Sequence, residues 1–259
     1  MNFHKPKELP RLMVAPNGAR RTKTDHPQIP VTIPQTVETA LACAAAGAKA
    51  MHFHVRDEAQ MHVLDAGLYR EALQELGAAV PDMHLQITTE AVGRYTPEQM
   101  RRLALEVMPP GISIGLLEMM PDRRPTKEDV GLYRALREAG TRIQHILYFP
   151  DEVELLAALV DAADLPRDDI WCLFAIGHYS GRISHPDLIP PFLDRLAEKS
   201  LDVDWAICAF AEEENESLAA AVARGGKLRV GFENSLFMPD GTIAPDNAAR
   251  VAAANALFG

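Results

Sequence analysis

Ala44-Ala45-Ala46-Gly47-Ala48-Lys49-Ala50-Met51-His52-Phe53-His54-Val55 is the stretch on which the reading of the fold turns. It joins the end of a helical pattern (34–46) to a short apolar run (48–55) through a single glycine. A glycine at positive φ closes the last turn of a helix, and a bounded run of this length and composition reads as a buried strand. The same unit recurs along the chain. Strand-like runs fall at 12–15, 48–55, 84–88, 111–116, 142–148, 170–176, 204–209 and 227–232. Helical patterns separate them at 34–46, 68–79, 97–107, 127–138, 152–162, 186–199, 213–223 and 245–257. Eight strand–helix pairs with short connections predict an α/β protein, a closed parallel (β/α)8 or TIM barrel, for which about 250 residues is a usual size. No linker divides the chain, so residues 1–259 are expected to form one barrel domain. A dinucleotide fold is the weaker reading, because no Gly-x-Gly-x-x-Gly follows the first run.

Several helix boundaries carry their own punctuation. Thr96-Pro97-Glu98-Gln99 supplies an N-cap, a proline at the first helical position and a glutamine at the third. Pro34, Pro186 and Pro245 are expected to open their helices in the same way. Gly47, Gly140 and the Gly225-Gly226 pair follow helical patterns and lead into strands.

Composition limits the partners. The 259 residues are 47% hydrophobic and 24% charged, with 26 Lys and Arg against 36 Asp and Glu, a net charge of -10. That balance argues against nucleic acid or an anionic membrane surface and leaves a small molecule as the expected partner. Cys43, Cys172 and Cys208 lie in apolar contexts without Cys-x-x-Cys spacing and read as buried thiols. An odd cysteine count and a start without an apolar leader give cytoplasmic localisation as the expectation. No apolar run approaches the roughly 18 residues of a membrane helix.

The chemistry starts at His52 and His54. Residues two apart on a strand project from one face, so two imidazoles there can grip one divalent cation, although two polar residues at a strand end would look the same. Glu233 ends the eighth run and offers the third donor that an open catalytic site requires. In a barrel the C-terminal ends of the strands converge on one mouth. The same rim is expected to hold 17–20 after the first strand, Thr88-Thr89-Glu90, Ser113, Gly115, Tyr148 and His178-Tyr179-Ser180. His62, His84 and His145 read as structural, His145 packed among Ile143, Ile146 and Leu147. Arg56-Asp57 reads either as an ion pair or as a place where a carboxylate orients a bound imidazole.

Four separated motifs resemble one known family. His52-x-His54-x-Arg56-Asp57, Asp25-x-Pro27-x-x-Pro30-x-Thr32, Gln86-Ile87-Thr88-Thr89, and Arg229-Val230-Gly231-Phe232-Glu233-Asn234 with Gly241-x-Ile243-Ala244 are similar to the β-keto acid cleavage enzymes, in the same order, over about 12–257. The resemblance implies a zinc-dependent barrel enzyme of the retro-Claisen type, which takes a β-keto acid and acetyl-CoA and returns acetoacetate and a new acyl-CoA. It maps the metal onto His52, His54 and Glu233, the arginine that partners an acidic base onto Arg229, and substrate-contacting hydroxyls onto Thr88 and Ser113. It also implies a homo-oligomer, a tetramer or dimer.

Three departures from the family pattern fall at functional places. Asn234 stands where the family has the aspartate that deprotonates the acetyl group, and a carboxamide is no base; Glu90 or Asp57 is the expected substitute. Ala209-Phe210-Ala211-Glu212-Glu213-Glu214 replaces a glycine-rich turn with a basic residue near the coenzyme, although acid residues also suit the first turn of a helix. Arg20 stands where a characterised amino-keto-acid enzyme has an acidic residue, which points to a substrate with a second anionic group. The alternatives are a diverged metal-dependent lyase or hydrolase that does not use CoA, and a non-catalytic zinc protein that binds a small keto acid.

Overall fold

The computed structural model describes residues 3–177, 183–210 and 214–259. Eight parallel strands close on themselves in chain order: β1 (Leu12–Val14), β2 (Ala50–Phe53), β3 (His84–Thr88), β4 (Gly111–Gly115), β5 (Arg142–Leu147), β6 (Ile170–Ile176), β7 (Val203–Ala209) and β8 (Lys227–Val230). β8 returns to β1 through Leu12–Leu228, Met13–Arg229 and Val14–Val230. The predicted (β/α)8 barrel is the observed fold.

The outer layer consists of α1 (Ile33–Ala45), α2 (Ala66–Ala79), α3 (Pro97–Val107), α4 (Leu116–Met119), α5 (Lys127–Glu138), α6 (Glu152–Ala163), α7 (Pro190–Glu198), α8 (Glu214–Val222) and α9 (Asn247–Asn255). Thr96 caps α3 with the expected reciprocal bonds to Gln99. The 186–199 pattern is two pieces, a 3-10 turn at Pro186–Leu188 and then α7, because Pro190 and Pro191 lack the N–H groups that continuous helix needs. Pro245 lies outside its helix. Asp246 caps α9 instead, accepting from Ala249 N at 2.8 Å. Helix α4 was not expected, since four residues are too few to show a helical period.

Two strands, β2 and β8, end two residues sooner than their apolar runs, and both endings shape the mouth. His54 leaves the ladder because Asn17 takes its backbone: Nδ2 donates to His54 O at 2.9 Å, and Oδ1 accepts from His54 N at 3.2 Å. β8 stops at Val230 because Gly231, at φ 138, turns the chain back over the barrel.

The opposite end is closed. Trp171 fills it, with the Arg142 guanidinium 4.4 Å over its ring and the His84 ring edge-on at 5.4 Å. Leu9 covers this floor, its N–H bonded to Asp204 Oδ2 at 2.6 Å, while Lys227 pairs with the same oxygen at 2.5 Å. Above lie Met13, Ala50, Leu173 and Ala206. Outward-facing strand residues such as Val14, Phe53, Ile87, Ile112 and Phe174 join the larger core beneath the helices. That leaves the C-terminal mouth as the place for polar chemistry.

Candidate active site

His52 rises from β2 beside its partner in register, Gln86 of β3. Its Nδ1 lies 2.9 Å from Gln86 Oε1, Gln86 Nε2 donates to Gln144 Oε1 at 3.1 Å, and Gln144 Nε2 donates to Cys172 O at 3.5 Å. A carbonyl can only accept, so it orients both amides and requires His52 Nδ1 to carry the proton. The Nε2 lone pair of His52 is thereby left facing the mouth. His54 turns its own Nε2 to within 3.1 Å of that atom, with its Nδ1 3.3 Å from His62 Nδ1.

Glu233 is delivered by the turn after β8. Its backbone N–H bonds Ala15 O at 3.1 Å, and Asn247 Oδ1 accepts from Phe232 N at 2.9 Å. Arg229 Nη2 donates to Glu233 Oε1 at 3.0 Å. The other oxygen, Oε2, stands 3.6 Å from His52 Nε2 and 3.5 Å from His54 Nε2. Three donors bound at about 2.0–2.1 Å in a tetrahedral arrangement stand roughly 3.3 Å apart. Separations of 3.1, 3.5 and 3.6 Å therefore fit a divalent ion. Both histidines are buried, and burial holds their basicity well below the ordinary value, so they are neutral donors across the physiological range.

A cavity of about 420 Å³ opens beside these donors. His52, Glu233, Arg229, Thr88, Ser113, Glu90 and Arg20, all singled out in the sequence, line it. His54 is not among the residues that line it. The far wall is largely apolar: Leu117, Ile146, Phe149 and Phe210. Glu90 Oε2 lies 3.9 Å from His54 Nε2. Burial, then the nearby Glu233 and Glu118 carboxylates, push Glu90 up to about 8. Thr88 Oγ1 accepts from Glu90 N at 2.9 Å and so shapes the turn that presents this carboxylate.

Several expectations are corrected. Asn234 is wholly buried but does not line the cavity, because the turn at 231–235 carries it behind Glu233; Arg21 Nη2 reaches its carbonyl at 3.4 Å. Asp57 is exposed and accepts from Met61 N at 2.8 Å, closing its own turn, so it is not the substitute base. Arg56 makes neither of the expected pairings. It is buried and donates to the carbonyls of Asn17 at 3.2 Å, Arg21 at 3.0 Å and Gln60 at 2.9 Å, binding the loops after β1 and β2 together. Tyr148 does line the cavity, whereas His178, Tyr179 and Ser180 lie outside the described residues. Ala211, Glu212 and Glu213 do as well. Glu214 is described, and its carboxylate points inward to Arg250 rather than toward a coenzyme.

Three residues at or behind the site received no role in the sequence reading. Glu118 lines the cavity from α4 and is pushed up to about 6, mainly by burial. It follows the end of β4 directly, so barrel logic alone could have placed it at the rim. Gln86 had a signal as well, since it sits in the Gln86–Thr89 motif on the face of β3 that pairs with His52. His62, taken as structural, touches His54; it comes from a loop whose path no periodicity reveals.

A closed parallel barrel with two histidines, a glutamate, an arginine and further carboxylates at its C-terminal mouth defines a TIM-barrel enzyme with a candidate divalent-metal site. The sequence pattern of the family described as beta-keto acid cleavage enzyme matches residues 11–259, and the chain belongs to that family. Its relatives are distant. A 3,5-dioxohexanoate:acetyl-CoA acetone transferase from Paraburkholderia graminis is 26% identical, over 92% of this chain and 86% of its own. A 3-oxoadipate:acetyl-CoA acetyltransferase from Cupriavidus necator is 21% identical, over 95% and 87%. Among solved structures, ObcA with oxaloacetate superposes with a TM-score of 0.72 at 15% identity, over 87% of this chain. This chain spans 62% of the ObcA chain, and the likeness speaks to the fold. The protein is an enzyme of the β-keto acid cleavage family.

Proposed function

We propose that this enzyme exchanges acyl groups between a β-keto acid and acetyl-CoA, releasing acetoacetate and a new acyl-CoA, with zinc held by His52, His54 and Glu233. The observation that carries the metal reading is the spacing of three buried donor atoms, 3.1, 3.5 and 3.6 Å apart. When bound, the ion supplies a Lewis acid for the oxygens of the keto acid. Glu90 is the base in place of the missing aspartate. With its pKa raised to about 8, mainly by burial, Glu90 is when ionised a stronger base than an ordinary carboxylate. It takes a proton from the carbon between the ketone and carboxylate of the substrate, the most acidic carbon present, rather than from the acetyl methyl. That carbon bonds to the acetyl carbonyl as the coenzyme thiolate leaves. The thiolate then attacks the ketone carbon, the original carbon–carbon bond breaks, and the proton returns to acetoacetate.

Arg229 holds Glu233 in place, while Ser113 and Thr88 offer hydroxyl oxygens on the cavity wall. Arg20 stands at the cavity with Glu90 and Glu118, whose charges it tempers. A keto acid bearing a second carboxylate, the chemistry named for the Cupriavidus relative, suits this guanidinium. Arg20→Glu is expected to lower kcat/KM for such acids at least tenfold while sparing neutral keto acids; equal loss on both would remove that assignment. Metal analysis tests the core of the proposal. The purified chain is expected to carry about one zinc, and His52→Ala to lose it.

A further inference from the structure

The contacts behind His54 end on a backbone carbonyl. His62 Nε2 lies 3.1 Å from Glu90 O, and since a carbonyl only accepts, that nitrogen carries the proton. A neutral imidazole then presents Nδ1 as an acceptor, and the atom it faces, at 3.3 Å, is His54 Nδ1. His54 must therefore donate from Nδ1, which leaves Nε2 as a lone pair. The same lone-pair state was fixed for His52 by Gln86. Two such nitrogens face each other at 3.1 Å, an arrangement that repels itself unless a cation stands between them.

From this we infer that His62 is a positioning residue for both halves of the site, setting the tautomer of His54 and anchoring the backbone that presents Glu90. It is 1% exposed, flanked by His54 on one side and the Tyr95 ring on the other, each in edge-on contact. Arg94 Nη1 donates to His62 O at 3.3 Å, and Arg56 and His62 form an isolated antiparallel bridge, so the backbone is held independently of the imidazole. Side-chain replacement thus tests the ring and not the loop. Both histidine partners, Gln86 and His62, are neutral. Partners of that kind orient the ligands without adding negative charge, so an ion with one carboxylate ligand keeps a net positive charge toward an anionic keto acid.

The inference rests on the metal reading, and the experiment separates the two. Zinc affinity is measured by competition with a chromophoric chelator for the full-length wild type, His62→Phe, His62→Gln and His52→Ala. His62→Phe is expected to weaken zinc binding about 10- to 100-fold. His62→Gln, which can accept from His54 and donate to Glu90 O, is expected to stay within a few-fold of wild type. Wild-type affinity in His62→Phe, or equal losses in the Phe and Gln variants, overturns the role of His62 while leaving the site intact. Zinc binding that survives in His52→Ala overturns the site and the inference together. Nitrogen-15 imidazole shifts of the metal-free wild type supply a reading that needs no variant to fold: a proton on His54 Nδ1 supports the inference, and one on His54 Nε2 overturns it.

Discussion

Glu90 occupies a position that couples geometry to charge. Its carboxylate is 3.9 Å from His54 Nε2, and burial, then the neighbouring carboxylates, keep its proton affinity high. Glu90→Gln is expected to lower kcat by about 10²- to 10⁴-fold with zinc retained, read by parallel kinetics and metal analysis; near-normal turnover would assign the proton step elsewhere. Glu118 lines the same cavity as Arg20. Replacing it with glutamine leaves Arg20 less compensated, so Glu118→Gln should raise kcat/KM for dicarboxylic over neutral keto acids, and an unchanged ratio would separate Glu118 from selectivity. At this scale His52, His54 and Glu233 were legible because few roles suit two imidazoles and a carboxylate at the ends of strands. Gln86 carried a signal in its motif, but its contact with His52, like that of His62 with His54, depends on which neighbour each one touches, and that follows from register and loop path. Asn234 misled for a similar reason: two residues next to each other in sequence can face opposite sides of a tight turn.

Among the elements, the turn after β8 brings Glu233 to His52 and His54. Gly231 sits at φ 138, and a Cβ there would come within 2.4 Å of Ala15 O. Gly18, at φ 60, lets the loop after β1 lie against the Glu233 side chain, where a Cβ would approach Cγ to 2.5 Å. Gly231→Ala is expected to destabilise the fold by about 1–3 kcal/mol and to weaken zinc binding, measured by urea unfolding and chelator competition. A stable variant with full zinc affinity would show that the turn does not position the ligand. The element pattern was largely legible because buried parallel strands are apolar runs separated by amphipathic helices. Boundaries slipped where one side chain intervened: Asn17 ends β2, Asp246 replaces Pro245 as the start of α9, and Pro190 with Pro191 splits the 186–199 segment.

At the scale of the whole molecule, buried ionisable groups oppose one another. Burial pushes Glu152 and Glu214 up to about 7, so the stability linked to them is complete below their unfolded pKa and declines as pH rises toward 7. Burial pushes His84 and His145 down to about 4, so their contribution is complete above roughly 6.5 and is lost as pH falls toward 4. His145 is buried, held by Trp171 O at 2.9 Å and stacked on Tyr133. His145→Asn should remove up to about 1.4 kcal/mol per pH unit from the stability slope between pH 4.5 and 6, measured by urea midpoints; an unchanged slope would contradict the neutral buried state.

The reaction proposed for this barrel is a zinc-dependent exchange of acyl groups at three buried donors. Its most direct test is mass-spectrometric detection of CoA products when a β-keto acid panel and acetyl-CoA meet the zinc-loaded enzyme and its chelator-stripped form. Equal amounts of acetoacetate and new acyl-CoA from the loaded enzyme, absent after stripping and restored by zinc, are predicted. No new acyl-CoA from the loaded enzyme on any acid, or an equal rate from the stripped form, would rule out the proposed reaction.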